Sequence, residues 1–137
     1  GDGKQVRDWL YVEDTALAVE AARLKGGLGE PYQVGADAEK DNRTVLLAIC
    51  QILDRMRPRP NGKQHADLME TVTDRPGHDR RYATDASKFR KHTGWAAKTS
   101  FEAGLEKTVR WYLENPGWCE AVRAKGYTGE RLGLTRR

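Results

Sequence analysis

The chain has 137 residues, of which 38% are hydrophobic and 32% are charged, and its formal net charge is +4. This length is typical of one domain, and no run approaches the roughly 18 apolar residues that a membrane span needs, which excludes an integral membrane protein. Two cysteines, Cys50 and Cys119, are too few for a disulfide scaffold and lie at no zinc-ligand spacing from histidines. We therefore expect a cytoplasmic protein without a membrane partner or a metal site.

The N-terminal part of the chain predicts two strands with a helix between them. The β-branched and aromatic segment 6–12 (VRDWLYV) predicts the first strand. Asp14 follows as a candidate N-cap of a helix that Gly26 ends. Segment 31–34 (PYQV) predicts a second short strand.

The middle of the chain predicts its clearest helix. Apolar residues recur at i, i+3, i+4 and i+7 after Asn42, a candidate N-cap, and continue to Met56. Segment 58–62, with two prolines and Asn-Gly, predicts a loop. Segment 68–73 ends in Thr-Val-Thr and predicts a short extended piece.

Two more helices are predicted by capping signals. Asp85 can start a short helix that Gly94 ends. Thr99 stands at capping-box spacing from Glu102, which predicts the start of a longer helix that ends before Pro116.

The C-terminal end carries most of the positive charge. Segment 118–124 predicts one more short helix, and residues 127–137 predict a tail. Segment 119–137 holds five basic and two acidic residues, a net of +3. A basic tail is compatible with a stand-alone module that binds nucleic acid, but mixed-sign charge of this kind usually forms a solvated face.

Segment 74–81 (DRPGHDRR) is the strongest candidate for a site. It gathers Arg75, Arg80, Arg81 and His78 around a Pro-Gly turn. Guanidinium groups match phosphate oxygens two at a time, so this loop favours a phosphate-bearing ligand. The alternative is a surface turn that carries ordinary ion pairs.

Three further residues are weaker candidates on their own. Arg7 stands in an otherwise apolar strand and either faces solvent or points into a cleft. Asn42 is explained equally well as a helix cap, and Tyr127 as a packing residue. The sequence has no Gly-x-Gly-x-x-Gly, no P-loop and no Tyr-x-x-x-Lys. These residues indicate an anion-binding site and no catalytic machinery.

Four segments together resemble the dTDP-glucose 4,6-dehydratases, which are extended short-chain dehydrogenases/reductases that act on nucleotide sugars. The segments are 1–14 (GDGKQVRDWLYVED), 31–42 (PYQVG with Asn42), 74–88 (DRPGHDRRYATDASK) and 101–118 (FEAGLEKTVRWYLENPGW). Segment 74–88 is the most specific of them. Thr15 and residues 36–38 depart from the family pattern, which bears on fine substrate choice.

The resemblance implies a fold and a domain organisation. We expect an α/β fold that is the C-terminal, substrate-binding portion of an extended Rossmann-type short-chain dehydrogenase/reductase, helix-rich with few short strands. Residues 1–35 would contribute a strand and a helix that pack on the Rossmann domain, and residues 119–137 would be a tail. A first strand so close to residue 1 also favours a chain that belongs to something larger.

The resemblance also implies an activity. In such enzymes NAD oxidises C4 of the glucose of dTDP-glucose, water leaves across C5–C6, and the hydride returns to C6. The NAD-binding and catalytic residues are then expected upstream of residue 1, in a homodimer that binds no nucleic acid. The substrate-binding residues implied are Arg7, Asn42, Asp74, Arg75, Pro76, Gly77, His78 and Tyr127. The nearest alternative is another nucleotide-sugar epimerase or dehydratase that takes a GDP- or CDP-sugar.

Overall fold

A computed structural model describes residues 1–126 of the chain. Within that range a small three-stranded sheet lies among five α-helices. The middle strand, β1 (Val6–Asp8), pairs antiparallel with β2 (Glu39–Asp41) and parallel with β3 (Arg81–Tyr82). The helices are α1 (Val12–Lys25), α2 (Asn42–Met56), α3 (Ser87–Thr93), α4 (Phe101–Glu114) and α5 (Pro116–Ala124). The expected helix-rich α/β architecture with few short strands is confirmed.

Strand β1 is shorter than the predicted strand 6–12, and α1 begins before its predicted cap. Asp8 ends the strand because its carboxylate accepts the N–H groups of Ala36 and Ala38 at 3.0 and 2.8 Å. The chain then turns into α1, so Asp14 lies inside the first helical turn. The prediction that Asp14 caps this helix was wrong.

Asp14 is instead a buried link between α1 and the segment before α4. Its side chain is 3% exposed, and its Oδ2 accepts the N–H of Thr99 at 2.9 Å. Burial by itself would raise the pKa of the Asp14 carboxyl. The N–H groups of Thr99 and Lys98 outweigh that effect, and the pKa lies below its usual value.

This lowered pKa gives a pH-dependent contribution to stability. The ionised Asp14 stabilises the fold above the usual carboxyl pKa of about 4, and the contribution is lost as the pH falls through the lower folded value. We expect Asp14→Asn to lower the urea midpoint at neutral pH and to flatten its fall below about pH 5. Glu13→Gln, at the exposed neighbour, is the control and should leave the slope unchanged. Identical pH profiles of the wild type and Asp14→Asn would contradict this prediction.

The predicted strand 31–34 does not form, because its side chains pack against α3. The hydroxyl of Tyr32 accepts the N–H of Gly27 at 2.8 Å, and its ring centroid lies 5.5 Å from that of Phe89. Strand β2 lies further along, in a polar segment for which the sequence pattern predicts no strand. An edge strand such as β2 is held by backbone hydrogen bonds to β1 and needs no apolar side chains. The apolar pattern of the sequence therefore does not predict it.

Helix α2 confirms the apolar periodicity but has a different cap from the one predicted. Asp41 is the N-cap, and its Oδ1 accepts the N–H of Thr44 at 2.8 Å. Asn42 is the first residue of the helix. The apolar stripe buries Val45 and Ile52, as the spacing indicates.

The segment after α2 folds back on the helix. The predicted loop 58–62 is confirmed, and a 3-10 helix, His65–Leu68, follows it. Both the N–H and the Nδ1 of His65 contact Oδ1 of Asp54, at 2.9 and 2.5 Å. A short extended piece was expected within 68–73. Leu68 ends the 3-10 helix, and Met69 after it is extended, with φ −74° and ψ 128°, although no strand pairs there. The Asp54–His65 pair joins the start of the 3-10 helix to α2.

Helices α3 and α4 lie where the capping signals predict them. Asp85 accepts the first backbone N–H of α3 at 2.9 Å, and the helix ends at Gly94, whose φ of +71° suits glycine. Helix α4 is capped by Ser100, whose Oγ accepts the N–H of Ala103 at 3.2 Å. Thr99 is not the cap, because its N–H is engaged by Asp14.

Helix α5 begins two residues before the predicted 118–124 because Pro116 fits the first turn of a helix. The predicted tail 127–137, which includes Tyr127, lies outside the described residues. Among residues 1–126 no helix combines the length and the apolar character that crossing a bilayer requires.

The core is lean, as the composition indicates. Phe89 of α3 is completely buried between the rings of Tyr32 and Trp95, with centroid distances of 5.5 and 5.4 Å. Helices α2 and α4 pack on each other and bury Ile52 and Val109. The apolar residues that are less than a tenth exposed are Ala18, Val45, Cys50, Ile52, Ala86, Phe89 and Val109.

Candidate anion-binding site

Strand pairing brings the arginine-rich loop 74–81 beside β1. The N–H of Val6 donates to the carbonyl of Arg80 at 2.8 Å, and Arg7 is in register with Tyr82 of β3. The sequence predicted a turn here but not the two-residue strand that follows it. The parallel pairing places Arg7, a residue far away in the chain, against this loop.

The guanidinium of Arg7 is held in place by four contacts. Its Nη1 donates to the carbonyl of Val6 at 2.7 Å, and its Nη2 lies 3.1 Å from both Nε2 of His78 and the carbonyl oxygen of Asp79. The group also lies 5.6 Å above the ring of Tyr82. These bonds use three of the five N–H donors of the guanidinium, so two remain for a ligand.

Arg7 and Arg75 carry charges that the described part of the chain leaves uncompensated. Within residues 1–126 neither has a carboxylate within 4.0 Å, whereas Arg80 pairs with Asp2 and Arg81 with Glu39. The carboxylates come from Asp2 and Glu39, outside the loop, and they compensate only part of it.

His78 connects Arg7 to Asp74. Its Nδ1 lies 2.9 Å from Oδ1 of Asp74, which also accepts the N–H of Arg75 at 2.9 Å. The other oxygen of Asp74 accepts a short hydrogen bond from the side-chain amide of Gln5. The hydrogen bond from His78, followed by that from Arg75, holds the pKa of the Asp74 carboxyl below its usual value. Asp74 is thus an ionised anchor at neutral pH.

The Pro-Gly turn gives the loop its shape. Gly77 has a φ of +69°, in the left-handed region that favours glycine, and Pro76 precedes it. The turn lets His78 reach back to Asp74 four residues earlier. It leaves the side chain of Arg75 exposed and without a hydrogen bond to any described residue.

Asn42 lies on the other side of β1 from this cluster. Its N–H donates to the carbonyl of Gln5 at 3.0 Å, and it borders a hollow of about 110 Å³ together with Gly3 and Met69. No hydrogen bond among the described residues joins the Asn42 side chain to Arg7 or His78. Gln5 links the two sides, because its backbone holds Asn42 and its side chain holds Asp74.

Sequence reasoning missed two members of the cluster, Gln5 and Tyr82. Gln5 is 4% exposed, which is unusual for a polar side chain. Gln5 stands just before β1 and outside the predicted strand 6–12, so no strand pattern marked it as buried. Tyr82 had no signal either, since β3 exists only through its pairing with β1.

A hollow of about 760 Å³ lies elsewhere in the described residues and has a different chemistry. It lies between the β1–α1 connection and α4, with walls that include Tyr11, Phe101, Trp111 and Trp118. Its surface is mainly apolar, which does not suit an anion. No three His, Cys, Asp or Glu residues in positions 1–126 are placed to hold a metal ion. The cluster around Arg7, His78 and Asp74 is therefore the candidate site.

The profile of the family described as GDP-mannose 4,6 dehydratase matches residues 1–108. A curated relative from Xanthomonas campestris pv. campestris, a dTDP-glucose 4,6-dehydratase, is 50% identical over 135 residues. The match covers 98% of this chain and 38% of that relative. The chain thus spans well under half of the length of the curated relatives it matches.

Solved structures show the same fold. A dTDP-glucose 4,6-dehydratase from Bacillus anthracis in complex with NAD is 43% identical with a TM-score of 0.73 and covers 86% of this chain and 34% of its own. The enzyme of the same name from Streptomyces venezuelae, with NAD and TYD bound, is 34% identical with a TM-score of 0.74. This match also covers 86% of the present chain and 34% of the Streptomyces chain. The expected fold, part of a Rossmann-type dehydratase of the extended class, is confirmed.

Proposed function

The chain belongs to the GDP-mannose 4,6 dehydratase family, and we propose that it binds the nucleotide diphosphate of the substrate in an NAD-dependent dTDP-glucose 4,6-dehydratase. One observation carries the proposal. The pairing of β1 with β3 fixes the guanidinium of Arg7 against His78 and leaves its charge without a carboxylate partner among the described residues. A positioned cation with free N–H donors suits a pyrophosphate.

The proposal gives each predicted site residue a role. Arg7 and Arg75 contact the diphosphate, and the turn of Pro76 and Gly77 brings His78 and Asp74 to the same place. Asn42 serves the nucleotide end of the substrate, and Tyr127 also reaches the substrate.

The proposed reaction converts dTDP-glucose into dTDP-4-keto-6-deoxyglucose and water. NAD supplies the oxidation and reduction, but this chain does not fit it. No strand of the described part leads through a glycine-rich turn into a helix N-terminus, which is the usual pyrophosphate site for a dinucleotide. We place the NAD-binding and catalytic residues in the part of the relatives' length that this chain does not match.

Four exposed apolar residues on α1 support packing against further protein. Val12, Leu17, Val19 and Leu24 are between 50% and 69% exposed. Isolated exposed apolar residues are ordinary, but four on one helix favour burial in an assembled molecule. We assign residues 1–35 to the contact with the Rossmann portion, as the resemblance implies.

The proposal extends to the oligomeric state and the location of the enzyme. A homodimer is implied by the resemblance alone, and sedimentation of the assembled enzyme would test it. A cytoplasmic location fits the two cysteines, Cys50 and Cys119, which form no disulfide.

A chimaera tests the proposed function. This chain replaces the matched 38% of the Xanthomonas campestris relative, and the product is followed by chromatography with dTDP-glucose as substrate. We expect conversion to the 4-keto-6-deoxy sugar, because the chain supplies the phosphate contacts and the remainder supplies the chemistry. The unmodified relative is the control.

Two results would contradict the proposal. One is a folded chimaera that binds NAD but does not convert dTDP-glucose. The other is a chimaera that prefers GDP-mannose, CDP-glucose or another sugar nucleotide, which would favour the alternative of a different epimerase or dehydratase. Binding of DNA by residues 119–137 with a steep salt dependence would support the non-catalytic basic module instead.

A further inference from the structure

We infer that Asp74 is a positioning residue, which fixes His78 in the tautomer that accepts a hydrogen bond from Arg7 and so sets the guanidinium for the diphosphate. The inference deepens the proposed function and rests on it. Asp74 then acts on the ligand only through His78 and Arg7.

The direction of each hydrogen bond follows from the donors present. A guanidinium can only donate, so Nε2 of His78, 3.1 Å from Nη2 of Arg7, must be the unprotonated acceptor. The ring proton is then on Nδ1, which donates to Oδ1 of Asp74 at 2.9 Å. His78 is neutral in this arrangement, and the hydrogen bond at one nitrogen sets the role of the other.

Direct contact between Asp74 and a phosphate is the weaker explanation of its position. Its Oδ1 already accepts from His78 and Arg75, and its Oδ2 accepts from Gln5. A carboxylate next to a pyrophosphate would also repel it. Three donors form hydrogen bonds to Asp74, so its carboxylate holds the loop in one conformation.

Without the carboxylate of Asp74, no acceptor stabilises the proton of the His78 ring on Nδ1. In the other tautomer the N–H at Nε2 would face the N–H of Arg7, and the two donors would oppose each other. Arg7 would then retain only the carbonyls of Val6 and Asp79 as hydrogen-bond acceptors. The guanidinium would be less well placed for a ligand.

The other charged and titratable groups around the ring are few. On the loop itself Arg75 is exposed, and Asp79 offers its carbonyl to Arg7. From β3 the Tyr82 ring lies under the guanidinium. The amino group of Gly1 lies 3.9 Å from Oδ1 of Asp74, and in the chimaera it becomes a peptide nitrogen that does not titrate.

The tautomer is directly observable. Long-range proton–nitrogen NMR spectra of the 137-residue chain, recorded above neutral pH, report which ring nitrogen of His78 carries the proton. We expect Nδ1–H in the wild type and a shift towards Nε2–H in Asp74→Asn. A wild-type ring with its proton on Nε2, or on both nitrogens, would overturn the inference.

A double-substitution cycle in the chimaera tests the consequence for substrate binding. Asp74→Asn should raise KM for dTDP-glucose by about 5- to 30-fold while kcat changes less than about twofold. Glutamine at position 78 offers Arg7 an amide oxygen and has no tautomer. In the His78→Gln background, Asp74→Asn should therefore change KM less than about twofold. Asp67→Asn, which removes an exposed carboxylate elsewhere, is the control.

The outcomes separate this inference from the proposed function. An undiminished effect of Asp74→Asn in the His78→Gln background would show that Asp74 acts on the substrate or on the loop directly, and would overturn the inference alone. If Arg7→Ala and Arg75→Ala both left KM unchanged as well, the diphosphate assignment itself would fail.

Discussion

Replacing Arg7 with alanine in the chimaera is expected to raise KM for dTDP-glucose by about 10- to 150-fold. The range corresponds to one charge-assisted hydrogen bond to phosphate, worth about 1.5–3 kcal/mol, at about 1.4 kcal/mol per factor of ten. Arg7 is chosen because β1 and the loop hold its guanidinium in one orientation through Val6, His78 and Asp79. A guanidinium that is already held in one orientation loses little conformational entropy when the ligand binds. Steady-state kinetics with dTDP-glucose measure the effect.

Matched variants separate charge from geometry. Arg7→Lys keeps the charge but loses the planar fork, so it should recover only part of the affinity. Arg75→Ala should also raise KM strongly, since its exposed guanidinium is available to a ligand. Arg110→Ala removes an arginine that is paired with Glu106 on α4 and should change nothing. Unchanged kinetics in both Arg7→Ala and Arg75→Ala would contradict the diphosphate assignment.

Replacing Phe89 with alanine is expected to lower the free energy of unfolding of the chain by about 3–5 kcal/mol. Phe89 is completely buried, and its ring contacts those of Tyr32 and Trp95. Helix α3 has only seven residues and is too short to be stable without such packing. Since natural domains are stable by about 5–15 kcal/mol, the loss is a large share of the total. Urea unfolding followed by tryptophan fluorescence measures it.

The control for this prediction keeps most of the apolar volume. Phe89→Leu fills most of the space and should cost less than about 1.5 kcal/mol. The difference between the two variants then reports the cavity and the lost ring contacts. Equal destabilisation by the two substitutions would show that Phe89 does not hold α3 to the segment around Tyr32.

Much of the secondary structure was predictable from local signals. The apolar period of α2 and the caps of α3 and α4 depend on residues within one or two helical turns, so the sequence pattern locates them within about two residues. The errors at Asp14, Asn42 and Thr99 share one cause. Each residue looked like an N-cap. In each case a neighbouring residue caps the helix or a distant residue occupies the hydrogen-bonding group, as when the N–H of Thr99 donates to Asp14.

The strands were the least predictable elements. Segment 31–34 has the composition of a strand but packs its side chains on α3, whereas β2 and β3 are polar and form through backbone bonds to β1. A strand of two or three residues is too short to be predicted from its side-chain pattern. Its existence depends on an edge that another part of the chain provides.

The local sequence of loop 74–81 by itself indicated the chemical character of the candidate site. Arginines and a histidine around a Pro-Gly turn suit an anion wherever the loop lies in the fold. Which arginines remain available was decided only by tertiary structure. Arg80 and Arg81 found Asp2 and Glu39, and Arg7 came to His78 through a strand pair that spans more than seventy residues. Such pairings depend on distances through space, and a carboxylate compensates only the guanidinium that the fold brings within a few ångströms of it.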